Sequence, residues 1–341
     1  MYLNNALRFL LLPSRPNGVS DSSYNHQLKE WYSLGTMPSA ESFLDLSLHL
    51  AKDNIAMHQG GPFGAVLVWY PDEMGTQVPE IIGMGTNHVT TKDDPTAHAE
   101  IEALRQTARE HRHLHDGKLV LYSSSECCPM CLGMAKSAGV SDIFYVNDRH
   151  QAALIGFSDE AQYSILQHSL DRLMIPLHTL SDDKQHYYEK ILGTSQAVLL
   201  KSKTECARCE VEPSMDLLTT SSMVVIQTAC NLTKNVWLGS EYSLISRKKL
   251  HLSALMACDW ARILRDPDCM HQDEPIYDKE ARGEHRVIYV EEEVEKITAL
   301  LKIPENDTSI YRTEDIKLLN AGKQLFAQWA QGVKVGEHEA Y

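Results

Sequence analysis

Apolar residues over positions 41–58, among them Phe43, Leu44, Leu46, Leu48, Leu50, Ala51 and Ile55, recur at helical spacing and give one broad apolar face. Gly60-Gly61-Pro62 ends that helix. The apolar run at 63–70 has the pattern of a strand buried on both faces, and a loop over 71–78 leads to a second strand over 79–86. Helices and strands then alternate. A helix runs from Pro95 to about residue 110, a strand over 118–123, a helix from Pro129 to about residue 138, and a strand over 142–146. Both prolines mark helix starts, because a residue before proline is pushed out of the α region and proline suits the first helical position. Strand, strand, helix, strand, helix, strand predicts a sheet covered on both faces, hence an α/β fold with a three-layer α/β/α domain over residues 39–194. Residues 1–38 read as a lead-in, with a short apolar docking helix near 6–12.

The two marked helix starts also carry reactive side chains. Asp94-Pro95-Thr96-Ala97-His98-Ala99-Glu100 brings an imidazole and a carboxylate to one, and Glu126-Cys127-Cys128-Pro129-Met130-Cys131 brings thiols to the other. Cys128 and Cys131 stand three apart and share a helix face, where the dipole of the first turn favours thiolates. Two thiolates and His98 make the three-ligand set of a catalytic zinc that keeps a fourth position for water. Glu100, two residues from His98, points off that ligand's face and is placed to take a proton from water and pass it to a leaving group. A closed structural site would need a fourth side chain, and Cys127, adjacent to Cys128 and facing away, is the candidate nearby. Cys206 and Cys209 have metal spacing but no second pair completes a site, so they read as reduced loop cysteines; Cys230, Cys258 and Cys269 read as small core residues.

Charge narrows the range of partners. Lys and Arg total 32 against 46 acidic residues, a formal net charge of −14, which disfavours a nucleic-acid partner. With 8 cysteines and three of them in or beside the metal motif, a reducing compartment is expected, read as cytoplasmic. No stretch approaches the roughly 20 apolar residues of a transmembrane helix, so no membrane partner is expected.

His98-x-Glu100 followed by Cys128-x-x-Cys131 is similar to the signature of the zinc-dependent cytidine and nucleobase deaminases, with Cys127 standing where that superfamily usually has proline. Over residues 41–180 the chain resembles one branch, the bacterial guanine deaminases. The resemblance lies in Gly60-Gly61-Pro62-Phe63-Gly64-Ala65-Val66, Asn87-His88-Val89-Thr90-Thr91, the run from Asp94 to Glu100, Cys128-Pro129-Met130-Cys131-Leu132-Gly133 and Gly156-Phe157-Ser158-Asp159. The run from Asp94 to Glu100 is also like that of transfer-RNA adenosine deaminases, whereas the Cys128 and Gly156 runs favour the guanine branch. The resemblance implies a cytidine-deaminase-like fold and Zn2+ held by His98, Cys128 and Cys131, with Glu100 shuttling protons. It also implies that Asn87 hydrogen-bonds the substrate, that Asp159 contacts the base and assists proton transfer at its amino group, and that Phe63 walls the pocket. From the residues alone, Asn87 reads equally as a turn residue, Asp159 as a helix N-cap and Phe63 as core. The expected reaction is hydrolysis of an aminopurine, guanine to xanthine and ammonia, on a small-molecule nucleobase. The alternatives are a transfer-RNA adenosine deaminase with an inactive second half; a deaminase of guanosine, cytosine or an aminotriazine; and a zinc protein that acts by binding alone.

From Gln196 onward the chain copies its first half faintly. The spacing between Gly85 and His98 recurs between Gly239 and Leu252, with Ala257 matching Ala103; at a second offset Val287-Ile288-Tyr289 matches Val120-Leu121-Tyr122, Ile310 matches Ile143 and Asp315 matches Asp148. These frames predict a degenerate deaminase-like α/β domain over 195–332 in which Leu252, Ala254, Glu295 and Thr298 replace His98, Glu100, Cys128 and Cys131. His251 beside Leu252 could not hold zinc without thiolates. Deaminases of this fold commonly work as oligomers in which a neighbour helps close the pocket, so the resemblance implies a homo-oligomer or an intrachain pseudo-dimer. Bacterial guanine deaminases also end in a polar segment closing on tyrosine that covers a neighbour's site. By that likeness Gly332 releases residues 333–341 as a lid with Tyr341 capping the base, the competing reading being an ordinary loose terminus.

Overall fold

The computed structural model describes residues 38–71, 78–110, 117–167, 174–210, 219–239, 241–264, 287–295 and 308–336. The expected docking helix near 6–12, Cys269, Thr298 and Tyr341 with residues 337–340 lie outside them. Among the described residues no helix is long and apolar enough to cross a membrane.

Helix α1 (Ala40–Ala56) buries the expected face through Phe43, Leu44, Leu46, Leu50, Ala51 and Ile55. It is followed by β1 (Gly64–Tyr70), β2 (Glu80–Thr86), the short α2 (Val89–Lys92), α3 (Ala99–Glu110), β3 (Lys118–Ser125), α4 (Pro129–Ser137), β4 (Val140–Asn147), α5 (Arg149–Ala153) and α6 (Glu160–Gln167). β1 pairs antiparallel with β2 and with β3, and β3 pairs parallel with β4. α1 covers one face of this sheet and α3 and α4 the other, the three layers that the pattern predicts. A Cβ on Gly85 would lie 2.0 Å from the Ala99 carbonyl oxygen and one on Gly83 2.3 Å from that of Ala103. The two missing side chains therefore let α3 lie directly on β2 and bring its first turn down to the sheet.

The second half continues with β5 (Ile175–Pro176), α7 (Asp182–Leu192), β6 (Ala197–Lys201), β7 (Thr204–Cys209), α8 (Ser221–Thr233), β8 (Tyr242–Lys249), α9 (Leu252–Trp260), β9 (Val287–Val294), β10 (Ser309–Arg312) and α10 (Ile316–Lys334). The first sheet has the order β10-β4-β3-β1-β2 and the second β5-β9-β8-β6-β7. Strand for strand the pairing directions agree, so the repeat is visible in the topology.

Its frame differs from the one read in the sequence. α9 stands where α4 stands and β9 where β4 stands, one strand–helix unit out of step with the expected pairing of α9 with α3 and β9 with β3. Buried strands select the same β-branched and aromatic types, so Val287-Ile288-Tyr289 imitates Val120-Leu121-Tyr122 without being its counterpart. Ala65 pairs with Ser123 and Ala197 with Ser246, which makes Ser246 the counterpart of Ser123. Counting from the helix starts, His98 corresponds to Thr220, Glu100 to Ser222, Cys128 to His251 and Cys131 to Ala254, in place of Leu252, Ala254, Glu295 and Thr298.

The edge strands also depart from expectation. β10 pairs parallel with β4 of the first sheet, Ile310 against Ile143, while β5 leaves the first half to pair with β9, Ile175 against Ile288. The two halves thus exchange their fifth strands. α10 returns to the first half as well, packing on α1 and β4 and burying Leu325, Phe326 and Trp329. Residues 308–334 therefore complete the first domain instead of closing a second one at 332. The helix also runs through Gly332, which is buried one turn after Trp329, so packing outweighs the roughly 1 kcal/mol that glycine costs a helix.

α4 packs against α9 between the halves, where a Cβ on Gly133 would lie 2.9 Å from Ser253 Oγ. His251 caps α9: its Nδ1 accepts from Ser253 N at 3.2 Å, so Nε2 carries the proton and donates to Ser137 Oγ at 2.8 Å. Burial pushes the His251 imidazole down from 6.5 to about 4. A folded pKa below the unfolded one means that the folded state resists a proton the unfolded chain accepts, so the stability is full above about pH 6.5 and lost as pH falls toward 4. Up to about 3 kcal/mol is at stake. Melting temperatures of wild type and His251→Gln, measured from pH 7.5 to pH 4.5 by steps of about one half, should converge as the pH falls. Parallel curves would refute the buried neutral imidazole.

Candidate metal centre

Pro129 is the first residue of α4 and Cys128 its N-cap, in extended conformation. The other helix start lies later than expected. Asp94 Oδ1 accepts from Thr96 N at 2.8 Å and Thr96 Oγ at 2.6 Å, so the Asp94 side chain takes the amide that a helix begun at Pro95 would leave open. α3 begins at Ala99, with the His98 carbonyl accepting from Glu102 N at 2.9 Å. Arg105 braces the loop through Asp94 Oδ2 at 3.2 Å and Thr96 Oγ at 2.8 Å, and Gln227 Nε2 of the second half donates to the same Thr96 Oγ at 2.9 Å.

These two starts bring His98, Cys128 and Cys131 together. Their ligand atoms lie within 4.8 Å of one another, and each thiol sulfur is 3.6 Å from His98 Nδ1. No other group of three such residues forms among the described residues. Burial alone would raise Cys128, but the Cys131 hydrogen bond and the His98 charge hold it well below the usual thiol range. Cys131 is raised by burial and by that neighbouring thiolate. Two buried thiols and an imidazole converging on one point are the soft and borderline donors that zinc takes, so the residues present fit the metal.

Cys127 is buried beside this group but points to Glu100, its sulfur 4.0 Å from Oε1, and burial and Glu100 push its thiol well up. Glu100, expected to point off the His98 face, reaches round to the thiols. Oε2 lies 3.4 Å from Cys131 Sγ, and Oε1 accepts from Ser123 Oγ at 2.8 Å. The carboxyl is raised by burial and by Cys128, with His98 opposing.

The group opens into a cleft. Phe63, Asn87 and Asp159 line it. Asn87 also fills the turn role, its Oδ1 accepting from Gly61 N and Val89 N at 3.3 Å each. Phe63 is both wall and core, meeting Phe157 edge-on at 4.8 Å and Phe326 at 5.8 Å. Asp159 is pushed up to about 8, first by burial and then by Cys128. The sequence motifs gave no sign of Glu126, Arg149 or Trp260, which also line the cleft. Trp260 arrives from α9 of the second half, its ring edge-on to His98 at 5.0 Å. A correct repeat frame, which sets α9 against α4, was the one signal that could have placed it there.

Other expectations fall away or change. Cys206 and Cys209 lie on β7, not in a loop, and residues three apart on a strand face opposite sides. Cys230 and Cys258 are fully buried core residues as expected. In the second half a carboxylate enters from the residue after β9: Glu295 Oε1 accepts from Ser222 Oγ at 2.6 Å and Ser222 N at 3.1 Å, beside Ser246.

Residues 37–147 match the cytidine and deoxycytidylate deaminase zinc-binding region. The guanine deaminase of Bacillus subtilis (strain 168) is 36% identical over 141 residues, spanning 41% of this chain and 85% of that protein. The tRNA-specific adenosine deaminase of Haemophilus influenzae is 34% identical over 116 residues, spanning 34% of this chain and 62% of the relative. Among solved structures, that of Bacillus subtilis guanine deaminase shares 37% identity over 39% of this chain and 79% of its own, with a TM-score of 0.34. With its three converging ligands all inside the matched region, the chain belongs to the zinc-binding cytidine and deoxycytidylate deaminase family.

Proposed function

We propose that the chain hydrolyses the exocyclic amino group of an aminopurine, converting guanine and water to xanthine and ammonia. One observation carries this reading: two buried carboxyls, both displaced upward, flank a three-ligand metal group in a cleft walled by flat aromatic rings. Zinc bound to His98, Cys128 and Cys131 supplies the acidity that makes water a nucleophile near neutral pH. Glu100 takes the proton of the attacking water, a carbon–oxygen bond forms, and Glu100 returns the proton to the amino nitrogen as the carbon–nitrogen bond breaks. Asp159 assists that transfer by hydrogen-bonding the same nitrogen without a net loss of its own proton, and the hydroxyl left on the carbon passes its proton to the neighbouring ring nitrogen, so that the carbonyl forms and ammonia leaves. Asn87 holds the ring edge, and Phe63, Phe157 and Trp260 confine its plane. The second half serves as a partner built into the chain, since Trp260 and Gln227 reach the cleft and the His98 loop from there.

The similarity to a tRNA-specific adenosine deaminase favours a second reading, against which stands the net charge of −14. Ammonia release from a panel of bases and nucleosides, with zinc measured on the same sample, tests the first; a gel shift with transfer RNA at physiological salt tests the second. Asp159→Asn should lower turnover of guanine about 10²-fold with zinc retained. Full activity of that variant on guanine would point to another base.

A further inference from the structure

Arg149 is the one lysine or arginine among the described residues that line the cleft, and the chemistry above gives it no task. It opens α5, whose N-cap Asp148 forms a capping box with Gln151, and Arg312 of β10 holds both, Asp148 at 2.7 Å and Gln151 at 2.7 Å. Its backbone N–H donates to Glu126 Oε2 at 3.0 Å. Its guanidinium lies 4.1 Å from the centre of the Tyr163 ring, and the Tyr163 hydroxyl donates to the Cys127 carbonyl at 2.9 Å. Main chain and stacking surface are thus both tied to the loop that carries the metal thiols. The guanidinium makes no ion pair with any described residue. Stacking on an aromatic face leaves the planar N–H fork available to bond in its own plane.

The fork can take an acceptor from a bound molecule. Glu100, Glu126 and Asp159 line the same cleft, so a phosphate would meet repulsion there, whereas a neutral ring edge with two adjacent acceptors would not. We propose that Arg149 is a specificity-determining residue that binds the acceptor edge of an oxopurine, its carbonyl oxygen and neighbouring ring nitrogen, and so separates oxopurines from purines lacking that oxygen. Arginine's fork matches this edge bidentately, and an amino group at the same position would set donors against donors. The assignment rests on the aminopurine reading above and names the substrate class within it.

The test compares kcat/KM for guanine, 2-aminopurine and 2,6-diaminopurine in wild type, Arg149→Met and Arg149→Lys, with zinc content and melting temperature as controls. Arg149→Met should lose about ten- to hundredfold on guanine and change by less than about twofold on 2-aminopurine, which lacks the oxygen. Arg149→Lys, which keeps the charge without the fork, should fall between, and it carries the comparison if the methionine variant does not fold. Equal losses on all three bases, or no loss on guanine, overturn the assignment and leave the aminopurine reading standing. A wild type that prefers guanosine monophosphate and loses that preference in Arg149→Met also overturns it, because the fork would then hold a phosphate. Ammonia from none of the purines in wild type overturns the aminopurine reading and the assignment together.

Discussion

Glu100→Gln should retain zinc and bind substrate yet turn over at least about 10²-fold more slowly than wild type. The residue is 4% exposed, with one oxygen fixed by the Ser123 hydroxyl and the other beside the Cys131 sulfur. Glutamine matches that shape and still accepts from Ser123 through its carbonyl oxygen, but it has no lone pair basic enough to carry a proton through the reaction. Burial and the Cys128 thiolate raise the Glu100 carboxyl, bringing it nearer to the pH at which a group both accepts and releases a proton efficiently. Glu102→Gln is the control, since Glu102 is held down by Arg105 and Lys92 away from the thiols. Steady-state turnover and metal content on the same preparations decide the matter, and undiminished turnover in Glu100→Gln would remove the proton shuttle.

Cys128→Ala and Cys131→Ala should each take bound zinc from about one per chain to near zero and abolish turnover, whereas Cys127→Ala should keep both. Two remaining ligands do not hold zinc against water, and the buried groups they leave lose the charge that organises them. Cys127 differs because its sulfur faces Glu100 and its thiol is pushed well up, which keeps it protonated. Zinc lost from Cys127→Ala would show that the thiol pair is wrong. Two zincs per wild-type chain would show a second site that the counterparts Thr220, His251 and Ala254 do not supply.

The first half was legible because its chemistry sits on strong local signals. Pro129 fixes a helix start by backbone sterics alone, and β1, buried over its first five residues, admits few readings. Pro95 misled because the chain first closes a tight turn, His98 N donating to the Thr96 carbonyl at 2.8 Å, and the helix begins only after it at Ala99. In the second half the ligands that would anchor an alignment are gone, and what remains, strands such as Val287-Ile288-Tyr289, is interchangeable between positions of a sheet. β5, with two residues, and β10, with four, are too short to show a period. Trp260 and Arg149 reach the cleft through tertiary packing, which no spacing in the sequence records.

The exchange of edge strands sets the timetable on which the chain is completed. β4 is made early, but its neighbour β10 joins residues 309–312 to 142–145, almost the full length of the second half later. At about 5–20 residues per second, a growing chain holds the finished metal ligands well before it can close the sheet behind them. During that interval the backbone edge of β4 is open to any strand that arrives, including the β10 of a sister chain on the same messenger. Such long-range pairing is also the slow part of folding, because the loop must close before the contact rewards it. Crowded synthesis should therefore yield some chains linked through traded edge strands, and the half that bears the metal ligands, although first to be made, is the last to be finished.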